Sequence, residues 1–243
     1  MGGNTSIAPP TLVEQLDLRK KKVLDLRKEL GLNHQKAQVV LALDYSGSMG
    51  ELYRSGQIQQ LVERLLPIGM AFDDNGEVDF YLFDDGVKKL PEALTVSNIP
   101  GYINTKVLGK YSMGGTDYAP VIKQITKDFA EKKGLLGMGG YKTMEMPVYV
   151  IFITDGDTSN KPGVEEAVKE ASNTGIFFQF VGIGRAGFGF LEKLDTMQGR
   201  NIDNANFFSV NDLSQKTDDE LYKLLLTEFP AYIHEARAKQ LIK

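Results

Sequence analysis

The sequence predicts an α/β fold of three layers, with a mostly parallel six-stranded sheet, one short antiparallel edge strand and helices on both faces. Three observations carry this. The runs AQVVLALD (37–44), VYVIFIT (148–154) and IFFQFVGIG (176–184) are continuously apolar, as in strands covered on both faces. Amphipathic segments of helical period separate them, so strands and helices alternate along the chain. A tight Asp84-Asp85-Gly86 turn leads directly into VKKL, whose lysines suit an antiparallel edge strand.

Each element follows in order. Residues 1–10 are rich in Gly, Asn and Pro and predict a flexible N-terminus. Residues 11–36 form a helical extension, with Leu12, Leu16, Val23, Leu26 and Leu30 near helical spacing. This helix is expected to pack outside the core. Its Arg19–Lys22 cluster reads as a solvated face, or as a contact for an anionic membrane surface or partner. Residues 37–243 form the α/β domain with its C-terminal helix. After the first strand comes the helical IQQLVERLLPIGMAF (58–72), in which Pro67 marks a kink or an early-turn boundary. EVDFYLF (77–83) is the second strand and VKKL (87–90) the edge. A helix near 117–132, the exposed loop KKGLLGMGGYKTMEMP and the strand 148–154 follow. Then come a helix near 162–173, the strand 176–184, a helix near 188–196 and the strand NFFSV (206–210). The last helix runs from about Asp218 towards Lys239, broken at Pro230.

Composition narrows the function. The formal charge is −4, without the basic surface of a general nucleic-acid binder. No apolar run approaches the roughly 20 residues that span a bilayer, and no secretory signal is visible, so a cytoplasmic location is expected. The chain has no cysteine, which excludes disulfides, thiolate metal sites and cysteine nucleophiles. With only His34 and His234, a multi-histidine zinc site is not expected, and any metal must rest mainly on oxygen. The start MGGNTS matches the N-myristoylation pattern through Gly2 and Ser6; it reads as a flexible start or as a weak single-chain membrane anchor.

The stretch VLALDYSGSMG (40–50) ends an apolar strand in Asp44 and continues as Asp-x-Ser-x-Ser. Asp155 ends another strand in FITDGDTSN, and the glycine-rich YSMGGTDY between them carries Thr116. Sheets of this kind bind ligands beyond the carboxyl ends of their strands, so three loops can present oxygen atoms at one edge. Two carboxylates balance a divalent charge, and neutral hydroxyls fill the coordination of a hard cation.

These motifs, in this order, resemble the von Willebrand factor type A (VWA) domain over roughly residues 37–230. That resemblance implies the VWA fold, Rossmann-like in its winding, and a metal-ion-dependent adhesion site (MIDAS) made of Asp44, Ser46, Ser48, Thr116 and Asp155. It implies Mg²⁺, Mn²⁺ or Ca²⁺ held directly by Ser46, Ser48 and Thr116, with Asp44 and Asp155 acting largely through water or hydrogen bonds. The last metal position would take an Asp or Glu from a protein partner, and the Thr116 loop would adjust as that carboxylate arrives. Within the family, SGSMGELYRSGQIQQLVERLLPIGMAFDDNGEVDFYLF looks most like the bacterial tellurium-resistance and stress-response branch. No separate tellurium-resistance domain is read in this sequence, which weakens a direct claim of tellurite resistance; the resemblance supports a complex-assembly or scaffold role.

Other signals are weaker. GIGRAG (182–187) has the literal Gly-x-Gly-x-x-Gly pattern, with Asp203 downstream, but it follows a late strand at an edge already occupied by the adhesion loops. FDDNGE (72–77) fails as a calcium loop, because its first and twelfth positions would be Ala71 and Leu82. Phe177, Phe178 and Phe180 alternate as core residues rather than as a stacking platform. An alternative function is a Mg²⁺-dependent phosphohydrolase with Asp44 as nucleophile, yet the general acid wanted two residues later is Ser46. A serine hydrolase lacks a base near SGS, and a metal-free scaffold leaves the five oxygen ligands unexplained.

Overall fold

Covering a sheet on both faces favours continuously apolar strands, and the run Val148–Thr154, buried at every position, has that character. The computed structural model describes residues 10–73, 75–133 and 140–243. Six strands form one sheet: β1 (Gln38–Asp44), β2 (Val78–Phe83), β3 (Val87–Lys89), β4 (Val148–Thr154), β5 (Ile176–Ile183) and β6 (Ala205–Val210). Their order is β3-β2-β1-β4-β5-β6, with every pairing parallel except β2–β3. The expected antiparallel edge is therefore present, and Lys89 on it pairs with Asp79 at 2.9 Å.

Successive residues of a strand point to opposite faces, and the apolar layers sort accordingly. Val39, Leu41 and Leu43 of β1 face one layer, and Val40 and Ala42 the other. The first layer is closed by α1 (Leu12–Glu29), α3 (Gln57–Phe72), α7 (Asp218–Leu226) and α8 (Phe229–Ala238), with the short α2 (Gly50–Arg54) at its end. The second is closed by α4 (Ala119–Phe129), α5 (Lys161–Ala171) and α6 (Gly189–Asp195). Phe177 enters the first layer, and Phe178 and Phe180 the second, as core residues.

The N-terminal helix departs from expectation. It is capped by Thr11 and Glu14 in a reciprocal capping box. Leu16 and Val23 are fully buried in the same layer as α3 and α7, so the helix completes the core rather than lying outside it. Ion pairs reinforce the packing: Asp218, at the start of α7, receives Arg19 at 3.1 Å and Arg64 at 2.8 Å, and Lys22 meets Asp219. Half of the Arg19–Lys22 cluster is thus spent on intramolecular contacts. Arg27 is buried as well, its guanidinium donating to the carbonyls of Ala71, Leu32 and Gln35 and lying over the Phe72 ring.

Pro67 sits inside α3 without ending it. The C-terminal helix breaks between Leu226 and Phe229, just ahead of Pro230, which occupies the first turn of α8 where its missing N–H costs nothing. MGGNTS, Asp74 of the FDDNGE turn and residues 134–139 of the long loop lie outside the described residues.

Candidate metal centre

β1 and β4 are neighbours, and both run towards the same edge of the sheet, so Asp44 and Asp155 emerge side by side. Asp44, the last residue of β1, is fully buried. Its Oδ1 accepts the Ser46 backbone N–H at 2.8 Å, and its Oδ2 accepts the Thr154 hydroxyl at 2.6 Å. Tyr53 donates its hydroxyl to the Asp44 carbonyl at 2.8 Å. The Ser46 and Ser48 hydroxyls are 3.0 Å apart, and Ser48 donates to Asp155 Oδ1 at 2.8 Å. Burial falls along this chain, from Asp44 and Ser46 inside, through half-buried Asp155, to exposed Ser48 at the rim.

Thr116 comes from a loop held against both neighbours. Gly47 donates its N–H to the Gly114 carbonyl at 3.1 Å, and Ser46 and Gly114 form an isolated parallel bridge. Ser159 donates both its backbone N–H and its hydroxyl to the Thr116 carbonyl, each at 2.9 Å. The acidic turn after β2 adds two more bonds: Gly115 N–H to Asp85 Oδ2 at 2.7 Å and Asp117 N–H to the Asp84 carbonyl at 2.8 Å. A Cβ on Gly115 would lie 2.5 Å from Asp85 Oδ1, so glycine there is what lets the turn close in. Asp44, Ser46, Ser48 and Asp155 thus form one hydrogen-bonded chain, and the Thr116 loop is bonded to both loops that carry it.

Burial pushes the Asp44 carboxyl up to about 6 against the hydrogen bonds that favour its charge, with the Asp155 charge adding to the rise. Burial raises Asp155 as well, opposed by its bond from Ser48. Among the described residues, no basic side chain is ion-paired with either carboxylate. No group of three or more His, Cys, Asp and Glu among those residues is placed to hold a metal, so a cation here would depend on the hydroxyls. Two uncompensated carboxylates with neutral hydroxyls between them fit a hard divalent ion.

Sequence reasoning missed Thr154, Tyr118, Tyr53 and the Asp84–Asp85 turn. The Asp-Asp-Gly signal marked that turn only as a hairpin, and the other three carry no local signal of a site. The GIGRAG motif has a packing explanation: a Cβ on Gly182 would come within 2.8 Å of the Phe188 ring. His34 and His234, about 200 residues apart, line one cavity of about 460 Å³ with Gln35 and Arg237.

A doubly wound sheet with this oxygen-rich edge between its central strands defines a von Willebrand factor type A domain. The chain belongs to the vWA-TerF-like family, described as the vWA found in the TerF C terminus, whose model matches residues 36–242. The uncharacterized protein YcbR of Bacillus subtilis (strain 168) is 34% identical over 231 residues, covering 94% of this chain and 90% of that protein. Among solved structures, proximal thread matrix protein 1 from the mussel byssus aligns with a TM-score of 0.57 at 19% identity, covering 79% of this chain. The chain spans about half, 47%, of that structure's length. A form of the same mussel protein with a zinc-occupied MIDAS motif aligns with a TM-score of 0.55 at 19% identity, covering 79% of this chain and 47% of that one. BatB from Bacteroides thetaiotaomicron aligns with a TM-score of 0.54 at 18% identity, over 82% of this chain and 99% of that one. At these identities the structures share the fold. No helix among the described residues is long and apolar enough to cross a membrane.

Proposed function

We propose that this protein is a metal-dependent protein–protein interaction module whose divalent cation, Mg²⁺ or Mn²⁺ foremost, receives an Asp or Glu from a partner. One observation carries the reading: the continuous chain from Thr154 through Asp44, Ser46 and Ser48 to Asp155, with two carboxylates and no basic counter-charge. Ser46, Ser48 and Thr116 would hold the ion, and Asp44 and Asp155 would orient the hydroxyls and balance its charge. A cation held largely by neutral hydroxyls stays electrophilic towards an outside carboxylate. The zinc-occupied MIDAS of the mussel protein supports the same use of this edge here. The family match supports a scaffold role in a tellurium-resistance or stress-response complex, and the formal charge of −4 supports one without nucleic-acid contact.

The phosphohydrolase reading fares worse. Asp44 is fully buried with both oxygens engaged, so it has no lone pair facing solvent for attack on a phosphoryl group. The test is a metal-dependent pull-down with purified protein, with and without EDTA, alongside Asp44→Ala and phosphatase, nucleotidase and esterase assays. Capture that requires Mg²⁺ or Mn²⁺ and is lost in Asp44→Ala, without turnover, is the expected result. Metal-dependent turnover that vanishes in Asp44→Asn would replace the binding module with a hydrolase.

A further inference from the structure

The loop that carries Thr116 is held from both sides, and one buried side chain ties it to the carboxylates. Tyr118, two residues after Thr116, is fully buried, with its ring edge-on to Phe83 and Phe152. Its hydroxyl donates to the Gly156 carbonyl and lies 3.2 Å from Thr154 Oγ1. Thr154 and Gly156 flank Asp155, so this hydroxyl grips the turn that presents the second carboxylate. Thr154 spends its own hydrogen on Asp44 Oδ2. The single tyrosine hydrogen is therefore shared between the Gly156 carbonyl and Thr154 Oγ1. The Tyr118 N–H adds a bond to Thr158 Oγ1 at 3.3 Å, and Asn160 Nδ2 reaches Asp117 Oδ2 at 3.0 Å.

From this geometry, resting on the metal-centre reading above, we infer that Tyr118 is a positioning residue which, through Thr154, fixes the Thr116 loop against Asp44 and Asp155 before any partner arrives. The resemblance implies a loop that adjusts on partner binding; here the Ser159, Asn160, Asp85 and Tyr118 contacts all resist that movement. Preorganised ligands bind a cation more tightly because no ordering remains to be done when it enters.

The experiment measures Mn²⁺ affinity by calorimetry and by the free-Mn²⁺ resonance signal for wild type, Asp44→Asn, Tyr118→Phe, Thr154→Val, Thr154→Ser and the Tyr118→Phe/Thr154→Val double variant. Tyr102→Phe serves as control: its buried hydroxyl donates only to the Glu92 carbonyl, away from the site. Phenylalanine at 118 keeps the ring packing, so folding is preserved. Tyr118→Phe and Thr154→Val should each weaken Mn²⁺ about tenfold, as loss of a hydrogen bond in a charged network does, and the double variant by little more than either alone. Thr154→Ser and Tyr102→Phe should bind as wild type. A merely structural role would lower the melting temperature in Tyr118→Phe and Tyr102→Phe alike, without separating their Mn²⁺ affinities. Wild-type affinity in Tyr118→Phe, with binding abolished in Asp44→Asn, would overturn this inference and leave the metal centre standing. Wild-type affinity in Asp44→Asn would overturn both.

Discussion

Replacing Asp44 by Asn should stabilise the metal-free protein at neutral pH while abolishing its response to metal. Without a cation, burial of this carboxyl raises its pKa from 3.8 to about 6. The folded state then holds the proton more tightly than the unfolded chain, so stability falls as pH rises from about 4 to about 6. Above that window ionisation costs folding about 3 kcal/mol, from a shift of about two units at 1.36 kcal/mol each. The amide removes this cost and still accepts the Ser46 N–H, but its NH₂ group faces Thr154, whose hydroxyl must reverse, at about 1 kcal/mol. The net gain is about 2 kcal/mol at pH 7, or about 4–8 °C in melting temperature for a chain of this size. At pH 4, where Asp44 is protonated, the gain disappears. Mg²⁺ at a hundred times its dissociation constant stabilises the wild type by about 2.7 kcal/mol and leaves the variant unmoved, which reverses their order. Scanning calorimetry at pH 4 and pH 7, in EDTA and in Mg²⁺, reads all four cells. A variant that melts below wild type in EDTA at pH 7 would refute the description of Asp44 as a buried charge awaiting a cation.

Gly115→Ala pushes Asp85 out of its bond with the loop; because Asp85 is exposed and can swing away, metal affinity should drop while stability changes by less than about 1 kcal/mol. Calorimetric titration against chemical denaturation separates the two. Leu16→Ala opens a cavity in the layer that α1 shares with α3 and α7, and should cost about 2–5 kcal/mol in a urea melt without altering metal affinity in the folded protein. Burial opposes ionisation of Asp218, but Arg64 and Arg19 outweigh it and hold the carboxyl below its usual range. That contribution is present above the unfolded carboxyl value and is lost as pH falls through the lower folded one, so Asp218→Asn should cost about 1 kcal/mol at pH 7 and progressively less as pH falls below the unfolded value. Thr116→Ala should weaken Mn²⁺ binding more than it lowers the melting temperature, since the Thr116 carbonyl, and not its side chain, holds Ser159.

Strands β1, β4 and β5 are legible in sequence because a sheet covered on both faces leaves few polar positions to break the run, Gln179 of β5 being one. The same coverage conceals the supports of the site. Thr154 closes an apolar strand and looks like a β-branched filler, and Tyr118 just before α4 looks like any core aromatic. Arg27 sits among charged residues of an evidently amphipathic helix, and nothing local shows that the carbonyls of Ala71, Leu32 and Gln35 will draw it inside. The burial of Leu16 and Val23 is equally hidden, because it depends on packing against α3 and against α7, the latter some 200 residues away. Asp44 and Asp155 stand out as acids ending apolar runs. Thr116 does not stand out by spacing; it is found through a family resemblance, and its loop meets Ser46 through Gly114, one of two glycines that admit the Asp84–Asp85 turn.

Ser48 and Asp155, joined by one hydrogen bond, are separated by 107 residues of chain. No nascent segment that stops short of β4 contains both carboxylates, and the pairing of β4 with β1 closes a loop that holds β2, β3 and α4. Long-range closure of this kind comes late in folding. A cation bound here could therefore not template the pairing of β1 with β4; it could only trap that pairing once made, adding its binding energy to it. A partner that docks through this edge would sense more than a metal. It would report that translation and folding of the domain have passed β4, so immature chains are excluded from the assembly by topology alone.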